Sequence, residues 1–447
     1  MMSRCETLVG LGALIHMMAV AVVAVQAQTS DFAPLHTDES ILKSAQLSID
    51  ITSDLTQVAM ADEYASENAS AGATDPSRGE FRRPKKFNWS LRQNEDWSDL
   101  AGRDATQTGD FFDPIKYIPL SEDGEVWLSV GGSARQRLEV WSNFGFGEPN
   151  DDEFLLTRVR VHADLHVGPN LRFFVEGKGA FSTDRDLPGG KRGLDVDEAA
   201  LQQVFVDVAI PLDDSAKLTI RPGRQMLLFG KQRLVSPLPW ANTLRAWDGV
   251  SVILTAPNLK ITGFWTQFVP VQKYDFNDSD AQTEFFGAYA TIKVPDAKAA
   301  IDLYFLGLDR EDMQTFNGTM GDEERYTLGG RVSGKIGDTS LDYDVEGAYQ
   351  FGDLGTADID AYMFASQLGL KLAELPAAPR VFIGLDYASG DDQAGGDVET
   401  FNHLFPLGHA YHGFIDAIGR QNIVDLSPGI ALSPVKKLTV LLQGHWL

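Results

Sequence analysis

A strict alternation of side-chain character, with a period of two residues, constrains the fold of this chain more than any other feature. It is clearest in residues 154–167, where from Arg158 onward even positions carry charged or imidazole groups and odd positions carry apolar ones. The first set is Arg158, Arg160, His162, Asp164 and His166, and the second is Val159, Val161, Ala163, Leu165 and Val167. Successive side chains of a strand point to opposite faces, so the segment predicts a strand with one charged and one apolar face.

About fifteen segments of this kind follow one another from Val126 onward, with lengths near the 9–11 residues that a tilted membrane strand needs. They are residues 127–140, 154–167, 171–181, 203–210, 247–254, 259–266, 285–292, 300–308, 325–336, 341–350, 359–370, 380–387, 423–432 and 438–447, with a short strand near Thr219. No helical pattern of comparable strength interrupts them. The pattern predicts an all-β protein, a transmembrane antiparallel β-barrel with water inside and lipid outside.

A soluble β-sandwich also alternates, and it is the competing interpretation. It gives no reason, however, to place Arg, His and Asp together along one face of so many consecutive strands. Aromatic residues near the strand ends favour the barrel, because aromatic girdles mark the two membrane boundaries. These residues are Trp127, Trp247, Trp265, Tyr289, Tyr349 and Trp446.

The first 27 residues have the three parts of a secretory signal peptide. Arg4 precedes an apolar run over residues 8–25, and Val25-Gln26-Ala27 ends in a small residue, which predicts cleavage after Ala27. An uncleaved anchor is the alternative. Residues 28–110 show no lasting period and predict a mostly disordered periplasmic extension. No later run of about 18 apolar residues occurs, so residues 111–447 can span a membrane only as a closed barrel.

Composition excludes one class of partner. The formal net charge is −25, with 63 acidic against 38 basic residues, and a surface that reads nucleic acid needs the opposite sign.

Catalysis and cofactors find little support in the sequence. The chain has no Gly-x-Ser-x-Gly element, and we expect a protein that is not an enzyme, with a barrel hydrolase as the rival interpretation. His162 and His166 lie two steps apart along one strand rather than at metal-ligand spacing, and the acidic loop at Ser389–Gly396 matches no calcium motif. We therefore expect neither a metal nor a cofactor.

Residues 219–250 carry an unusual density of arginine. The segment predicts a short strand, a glycine-broken turn, a proline-interrupted loop and a second strand that begins near Arg245. Buried guanidinium groups need partners or water, so this density suits a water-filled cavity better than a soluble core.

Three blocks of motifs resemble the alginate export family of outer-membrane porins from Gram-negative bacteria, over nearly all of residues 88–447. The first block holds Arg92, Glu95-Asp96-Trp97-Ser98, Leu100, Lys116-Tyr117-Ile118-Pro119-Leu120 and Gly131-Gly132. The second holds Arg221, Gly223-Arg224-Gln225, Gly230, Gln232-Arg233-Leu234, Asn242, Arg245 and Asp248-Gly249. The third holds Ser389-Gly390-Asp391, Thr400-Phe401-Asn402 and Leu404-Phe405-Pro406.

The resemblance implies an eighteen-strand barrel, of which this sequence lacks about the last three strands. It also implies a channel in the cell outer membrane that passes an anionic polysaccharide, or its oligosaccharides, of the alginate type. Periplasmic export proteins are possible partners beside the lipid bilayer. The expected lumen contacts to this substrate are Arg135, Arg137, Arg158, Arg160, Arg221, Arg224, Arg233, Arg245 and Asp248. A general diffusion porin for small anionic solutes is the alternative.

The same arginines have a structural alternative. About half of the arginines in this region would pair only with carboxylates of the wall, namely Glu139, Asp164, Glu176, Asp207 and Asp248. Counting charges therefore does not decide the selectivity. Because arginine is in excess between Ser133 and Arg245, we expect that part of the wall to attract anions.

Overall fold

The computed structural model describes residues 22–27, 91–102, 111–146, 150–316, 318–393, 395–414, 416–435 and 438–447. The described residues form seventeen antiparallel strands. The strands are β1 Val22–Ala27, β2 Ile118–Pro119, β3 Val126–Trp141, β4 Asp152–Val167, β5 Leu171–Ser182, β6 Asp197–Pro211, β7 Lys217–Gln225, β8 Ala246–Ala256, β9 Leu259–Val269, β10 Thr283–Val294, β11 Ala299–Phe316, β12 Thr319–Lys335, β13 Leu341–Leu354, β14 Ala357–Lys371, β15 Arg380–Ala388, β16 Ile423–Val435 and β17 Leu438–Gln443. One helical turn, Asp113–Lys116, and short 3-10 turns complete the regular structure.

The strands pair in the order of the sequence. Each strand from β2 to β17 is hydrogen-bonded antiparallel to the next, and β1 pairs with the far edge of β17. The prediction of an all-β antiparallel sheet is confirmed, with sixteen strands from β2 to β17. In the described part of the chain no pairing joins β2 to β17, so barrel closure stays a prediction. Most of the predicted N-terminal extension lies outside the described residues.

The two faces of the sheet meet different environments. The face carrying Arg160 and His162 is buried, with exposed fractions of 1% and 3%, and we call it the inner face. On the outer face the predicted apolar row is exposed: Val161 is 59% exposed and Leu328 is 57% exposed. A soluble β-sandwich would bury such residues against a second sheet. An apolar exterior over a charged interior instead suits a lipid solvent.

Aromatic side chains form a band on the outer face. Successive ring contacts join Trp265 to Phe286, Phe286 to Tyr326, Tyr326 to Phe351 and Phe351 to Tyr349, with centroids 5.0–6.4 Å apart. The band crosses β9 to β13 at one level and has the form of an interfacial girdle. Trp265, Tyr349 and Trp446 are exposed as predicted.

The girdle prediction is wrong for three other aromatic residues. Trp127, Trp247 and Tyr289 are only 7%, 0% and 7% exposed. Trp127 stacks on His166 with ring centroids 3.8 Å apart, and Tyr289 stacks on Phe229 at 4.9 Å. These three rings lie on the inner side, because the interior is filled by chain segments that supply apolar partners.

The loops differ in length at the two ends of the sheet. At one end the connections are short, such as residues 168–170, 212–216 and 257–258. Residues 183–196, 226–245 and 389–422 all leave from the opposite end. Bacterial outer-membrane barrels have short periplasmic turns and long external loops, so the pattern predicts that the long connections lie at the external end. Among the described residues, no helix has the length and apolar character needed to cross a membrane.

The outer face generates a stability prediction. Leu328→Arg places a charge in the middle of β12 on the lipid side, and we expect it to cost about 2–4 kcal/mol in lipid vesicles. Met320→Arg is the matched control, because Met320 is 57% exposed on the same face, about 26 Å along the strand toward its end. We expect this control to cost about 0–1 kcal/mol. Equilibrium unfolding from vesicles measures both, and equal small costs would contradict a lipid-facing wall.

Candidate functional site: two inward loops held by arginines

Two of the long loops fold back against the inner face. The first inward loop is residues 226–245, and the second inward loop comprises the described residues between β15 and β16, namely 389–393, 395–414 and 416–422. They are joined by backbone hydrogen bonds, in which the N–H of Ser236 donates to the carbonyl of Phe405 at 2.8 Å. The N–H of Phe405 in turn donates to the carbonyl of Leu234 at 2.9 Å. The two loops therefore form one structural unit inside the sheet.

Apolar packing seats this unit against the wall. The ring of Phe405 lies 5.5 Å from Trp247 of β8, 5.3 Å from Phe268 of β9 and 5.0 Å from Phe285 of β10, measured between centroids. Phe405 is 5% exposed. Aromatic contacts at these separations add to the free energy of burying the rings themselves. The Leu404-Phe405-Pro406 motif thus belongs to the core of the molecule.

Arg135 and Arg158 hold the first inward loop from one side. They stand directly opposite each other in the β3–β4 ladder, where like charges repel. Both donate to the same two carbonyl oxygens: Arg135 to Pro239 at 3.0 Å and Ala241 at 2.7 Å, and Arg158 to these atoms at 3.0 and 2.8 Å. The two carbonyl dipoles lie between the guanidinium groups and offset part of their repulsion.

Two further arginines of the predicted set also contact the loops. Arg137 donates to the carbonyl of Trp240, lies 5.2 Å from that indole ring, and pairs with Glu139 at 2.6 Å. Arg245, at the end of the first inward loop, donates to the carbonyl of Pro406 at 2.9 Å. Burial lowers the pKa of the Arg245 guanidinium to about 10.

Arg233 holds the first inward loop from the other side. Its Nη1 lies 2.8 Å from a carboxylate oxygen of Asp344 and 2.7 Å from one of Glu346, both on β13. Burial alone would lower the pKa of Arg233, but Asp344 and Glu346 raise it well above its usual value. Strands β3 and β13 therefore both contact one loop, so the sheet curves around it.

The second inward loop has a corresponding anchor on β13. Gln350 donates to the carbonyl of Asn402 at 2.7 Å and accepts the N–H of the same residue at 2.9 Å. Gln350 is fully buried. A single amide side chain thus satisfies both backbone groups of one loop residue.

The remaining inner-face arginines pair with carboxylates of neighbouring strands. Nη2 of Arg160 donates to the two carboxylate oxygens of Glu176 at 2.8 and 2.9 Å. Nε and Nη2 of Arg221 donate to the two carboxylate oxygens of Asp207 at 2.6 and 2.7 Å. Arg172 pairs with Asp164 at 2.7 Å. All five carboxylates named from the sequence as wall partners take such a role: Glu139, Asp164, Glu176, Asp207 and Asp248.

The N-terminal motif block also lies on the inner face. Gln93 is 3% exposed, and its carbonyl accepts a hydrogen bond from Arg172 at 2.7 Å. Its side-chain oxygen accepts one from Gln203 at 3.0 Å. Residues 91–100 are therefore a third segment packed inside the sheet, which periodicity could not reveal because the segment is neither strand nor long helix.

Two members of the predicted set have the opposite register. Arg224 and Asp248 form a bidentate pair with both contacts at 2.7 Å, and Arg224 stands opposite Val204, an outer-face residue that is 41% exposed. A loop carbonyl, that of Asn277, covers the pair at 2.8 Å. The expectation that these two residues line the lumen with the other arginines is therefore not met by their register.

Charge is unevenly divided over the inner face. Away from the exposed strand ends, cations outnumber carboxylates on β3–β7, whereas carboxylates outnumber cations on β11–β16. The first set is Arg135, Arg137, Arg158, Arg160, Arg172, Lys178 and Arg221, with Glu139, Asp164, Glu176, Asp197 and Asp207. The second set is Asp302, Glu323, Asp342, Asp344, Glu346, Asp386 and Asp425, with Arg310, Arg325, Arg331 and Arg380.

Two arginines of the inward loops lie against the acidic strands β11–β16. Arg233 pairs with Asp344 and Glu346, and Arg420 of the second inward loop pairs with Asp386 at 3.1 Å. The local excess of carboxylate is thereby reduced. Sequence reasoning did not single out Arg420, because its partner is 34 residues away and in a different element.

An antiparallel sheet with a charged inner face, an apolar outer face and an aromatic band is the construction of an outer-membrane porin. The family model described as Alginate export matches residues 126–447. The chain belongs to the alginate export family.

Solved structures with a similar arrangement include three from different bacteria. OccK2 (OpdF) of Pseudomonas aeruginosa, in complex with glucuronate, is 12% identical with a TM-score of 0.44, over 71% of this chain and 77% of that chain. A loop L8 deletion mutant of Vibrio cholerae OmpT is 11% identical with a TM-score of 0.37, over 72% and 100%. A Rhodopseudomonas blastica porin triple mutant is 13% identical with a TM-score of 0.34, over 71% and 98%. No curated protein matches the sequence.

The Arg233 anchor generates a second prediction. We expect Arg233→Ala to cost about 3 kcal/mol, because it removes the ion pair of buried Glu346 and one of the two ion pairs of Asp344. A double variant, Arg233→Met with Glu346→Gln, is the control, and we expect it to regain most of the loss, since Asp344 keeps its pair with Arg331. Equilibrium unfolding checks both, and a double variant as unstable as the single one would contradict this account.

A third prediction concerns pH. Burial, with the positive neighbours Arg420 and Arg245 and with nearby His412, lowers the pKa of His403 from 6.5 to about 4. Because the folded state favours neutral imidazole, His403 contributes stability above pH 6.5 that is lost as the pH falls toward 4. We expect His403→Gln to lessen the fall in unfolding free energy between these pH values. A titration of both proteins checks this, and parallel curves would contradict it.

Proposed function

We propose that the sheet forms the wall of a barrel in the outer membrane and that this barrel passes an anionic polysaccharide, or its oligosaccharides, of the polyuronate class. The single observation that carries the proposal is the cationic side of the inner face, on β3–β7, within a chain whose net charge is −25. A chain rich in acid concentrates its arginines where a solute would pass. Membership of the alginate export family agrees with this substrate class.

The paired state of the arginines suits transport rather than tight capture. Each guanidinium group has five N–H donors, and its fork matches the geometry of a carboxylate. Arg221 uses two contacts on Asp207, and its side chain is 12% exposed. Because only Nε and Nη2 of Arg221 contact Asp207, a substrate carboxylate would meet the remaining N–H groups while Asp207 stays paired, and sharing of the charge would keep the contact weak. A series of weak sites allows both entry and exit.

The inward loops give the proposed path a constriction. They occupy the interior between β3 and β13, and Arg137 and Arg245 lie at their contacts with the wall and with each other. Arg135, Arg158 and Arg233 would then act mainly by holding the constriction in place, and Arg160 by its pair with Glu176 in the wall. Residues 1–27 would direct the chain to the envelope, and periplasmic export proteins would deliver the substrate.

A general diffusion pore for small anionic solutes is the second candidate. It also needs an excess of cations on the inner face, and the charge distribution on β3–β7 favours it equally. The two candidates differ in how they treat a polymer. A dedicated channel binds a polyuronate at several sites along the wall, whereas a diffusion pore ranks solutes by size.

Planar-bilayer recordings with two matched variants test the proposal. Arg221→Gln removes a cation from β7 and Arg380→Gln one from β15, where Arg380 pairs with Asp342 and is likewise 12% exposed. We expect polyuronate to block the wild-type current, and Arg221→Gln to raise the blocking concentration about tenfold, as the loss of a charged contact does. Arg380→Gln should change the block much less.

Three outcomes count against parts of the proposal. Equal effects of the two variants would contradict the division of charge between the two sides. A cation preference in the wild type that persists after Arg158 and Arg160 are neutralised would contradict the anion-attracting wall. Uptake ranked by size alone, without block by polyuronate, would favour the general diffusion pore.

A further inference from the structure

A buried cluster of histidine and aspartate lies where the second inward loop meets the wall. Asp386 of β15 and Asp425 of β16 stand directly opposite each other in the ladder. His412 of the second inward loop lies over them, and one ligand atom from each of the three residues lies within 4.8 Å of the others. The side chains of His412 and Asp425 are 1% and 0% exposed. Two opposed carboxylates in a buried position need a cation nearby.

The described partners leave specific atoms unused. Arg420 contacts Oδ2 of Asp386 at 3.1 Å, and His445 contacts Oδ2 of Asp425 at 2.8 Å. The Oδ1 atoms of both aspartates have no hydrogen-bond partner among the described residues, and neither do Nδ1 and Nε2 of His412. These are buried polar atoms, which native proteins pair with a group, a water or an ion.

We propose that Asp386, His412 and Asp425 form a binding site for a divalent first-row transition ion of the zinc class. An imidazole nitrogen with two carboxylate oxygens is a donor set that such ions accept, while Ca²⁺ and Mg²⁺ prefer oxygen alone. Two ligand atoms on one ion lie about 3–4 Å apart, so the three side chains need shifts of only about 1 Å to converge. The remaining positions would be filled by water.

The charge and the outer contacts of the cluster agree with a cation. Arg420 contacts Asp386 directly, whereas Arg233, which also lies near Asp386, is already paired with Asp344 and Glu346. A divalent ion would therefore offset a local negative excess. His445 contacts Oδ2 of Asp425 at 2.8 Å, the oxygen that also lies 3.6 Å from Nδ1 of His412. This contact fixes the orientation of the Asp425 carboxylate, as second partners of metal-binding carboxylates do. A protonated His412 paired with Asp425, 3.6 Å away, is the competing arrangement, but it leaves Oδ1 of Asp386 unused.

The site would fasten the second inward loop to β15 and β16. This is the side of the wall where that loop is otherwise held by Arg420. The ion would therefore set how firmly the loop stays in place. The inference does not depend on which solute passes through the protein.

Cobalt binding by the full chain, folded in detergent micelles, tests the site. After treatment with a chelator, we expect the wild type to take up about one Co²⁺ per chain, with the visible absorption of a nitrogen- and oxygen-ligated ion. We expect His412→Ala and Asp425→Asn to lower the affinity by at least about tenfold, and His445→Ala by about 10–100-fold. His166→Ala on β4 is the matched control and should bind as the wild type does.

The test includes a folding control and two outcomes that would overturn the proposal. Folding of each variant is checked by its heat-dependent migration in gel electrophoresis, and the wild-type stoichiometry stands even if a variant does not fold. Folded wild-type protein that takes up no Co²⁺ or Zn²⁺ overturns the proposal. Binding that is unchanged in folded His412→Ala also overturns it, because the ion then lies elsewhere.

Discussion

The hydrogen bonds of buried arginines to the inward loops are the interactions on which the rest of the structure depends. A guanidinium group on the inner face of the sheet must find acceptors, because burying it without them costs several kcal/mol. Arg135 and Arg158 find carbonyls of Pro239 and Ala241, and Arg233 finds two carboxylates of β13. The loops need these contacts equally, since a chain segment inside a sheet has backbone groups that no ladder satisfies. Wall and loops therefore stabilise each other.

This arrangement is possible because the molecule has an exterior made of hydrocarbon. In a soluble protein, Val161 and Leu328 would be the core, and the charged face would lie in water. Here those residues are exposed and Arg160, at 1% exposure, is buried. The polar groups gather in the interior, where short-range pairs between neighbouring strands, such as Arg160 with Glu176, satisfy them. The interior is a network of ion pairs with an apolar aromatic core around Phe405.

The sequence predicted the wall well and the interior less well, for a physical reason. Strand period is a local property. The opposite faces of Arg158 and Val159 in residues 154–167 could therefore be assigned from neighbouring residues alone, and the structure agrees. The partners of the inward loops are distant in sequence, and no local pattern records them. Trp247 and Tyr289 were therefore placed on the outside, although the loops provide aromatic partners for both on the inside.

The register of Arg224 follows from strand period alone. Its ladder with β6 keeps one register on both sides of Gly223, so Arg224, three residues after Arg221, lies on the opposite face. Gly223 itself has φ of +127°, and a Cβ at that position would lie 2.2 Å from the carbonyl oxygen of Val204, so this backbone is open to glycine alone. The cluster at Asp386, His412 and Asp425 could not be predicted in this way. Its members come from two strands and a loop, at spacings that no motif describes.

The backbone pairing between Ser236 and Phe405 has a mechanical consequence. Because each loop completes hydrogen bonds of the other, neither can leave the interior without exposing the partner's amide and carbonyl groups. The two inward loops would therefore move together, about hinges where the chain leaves β7 and β15 and enters β8 and β16. Displacement would be an all-or-none event shared by four strand ends, rather than a gradual widening.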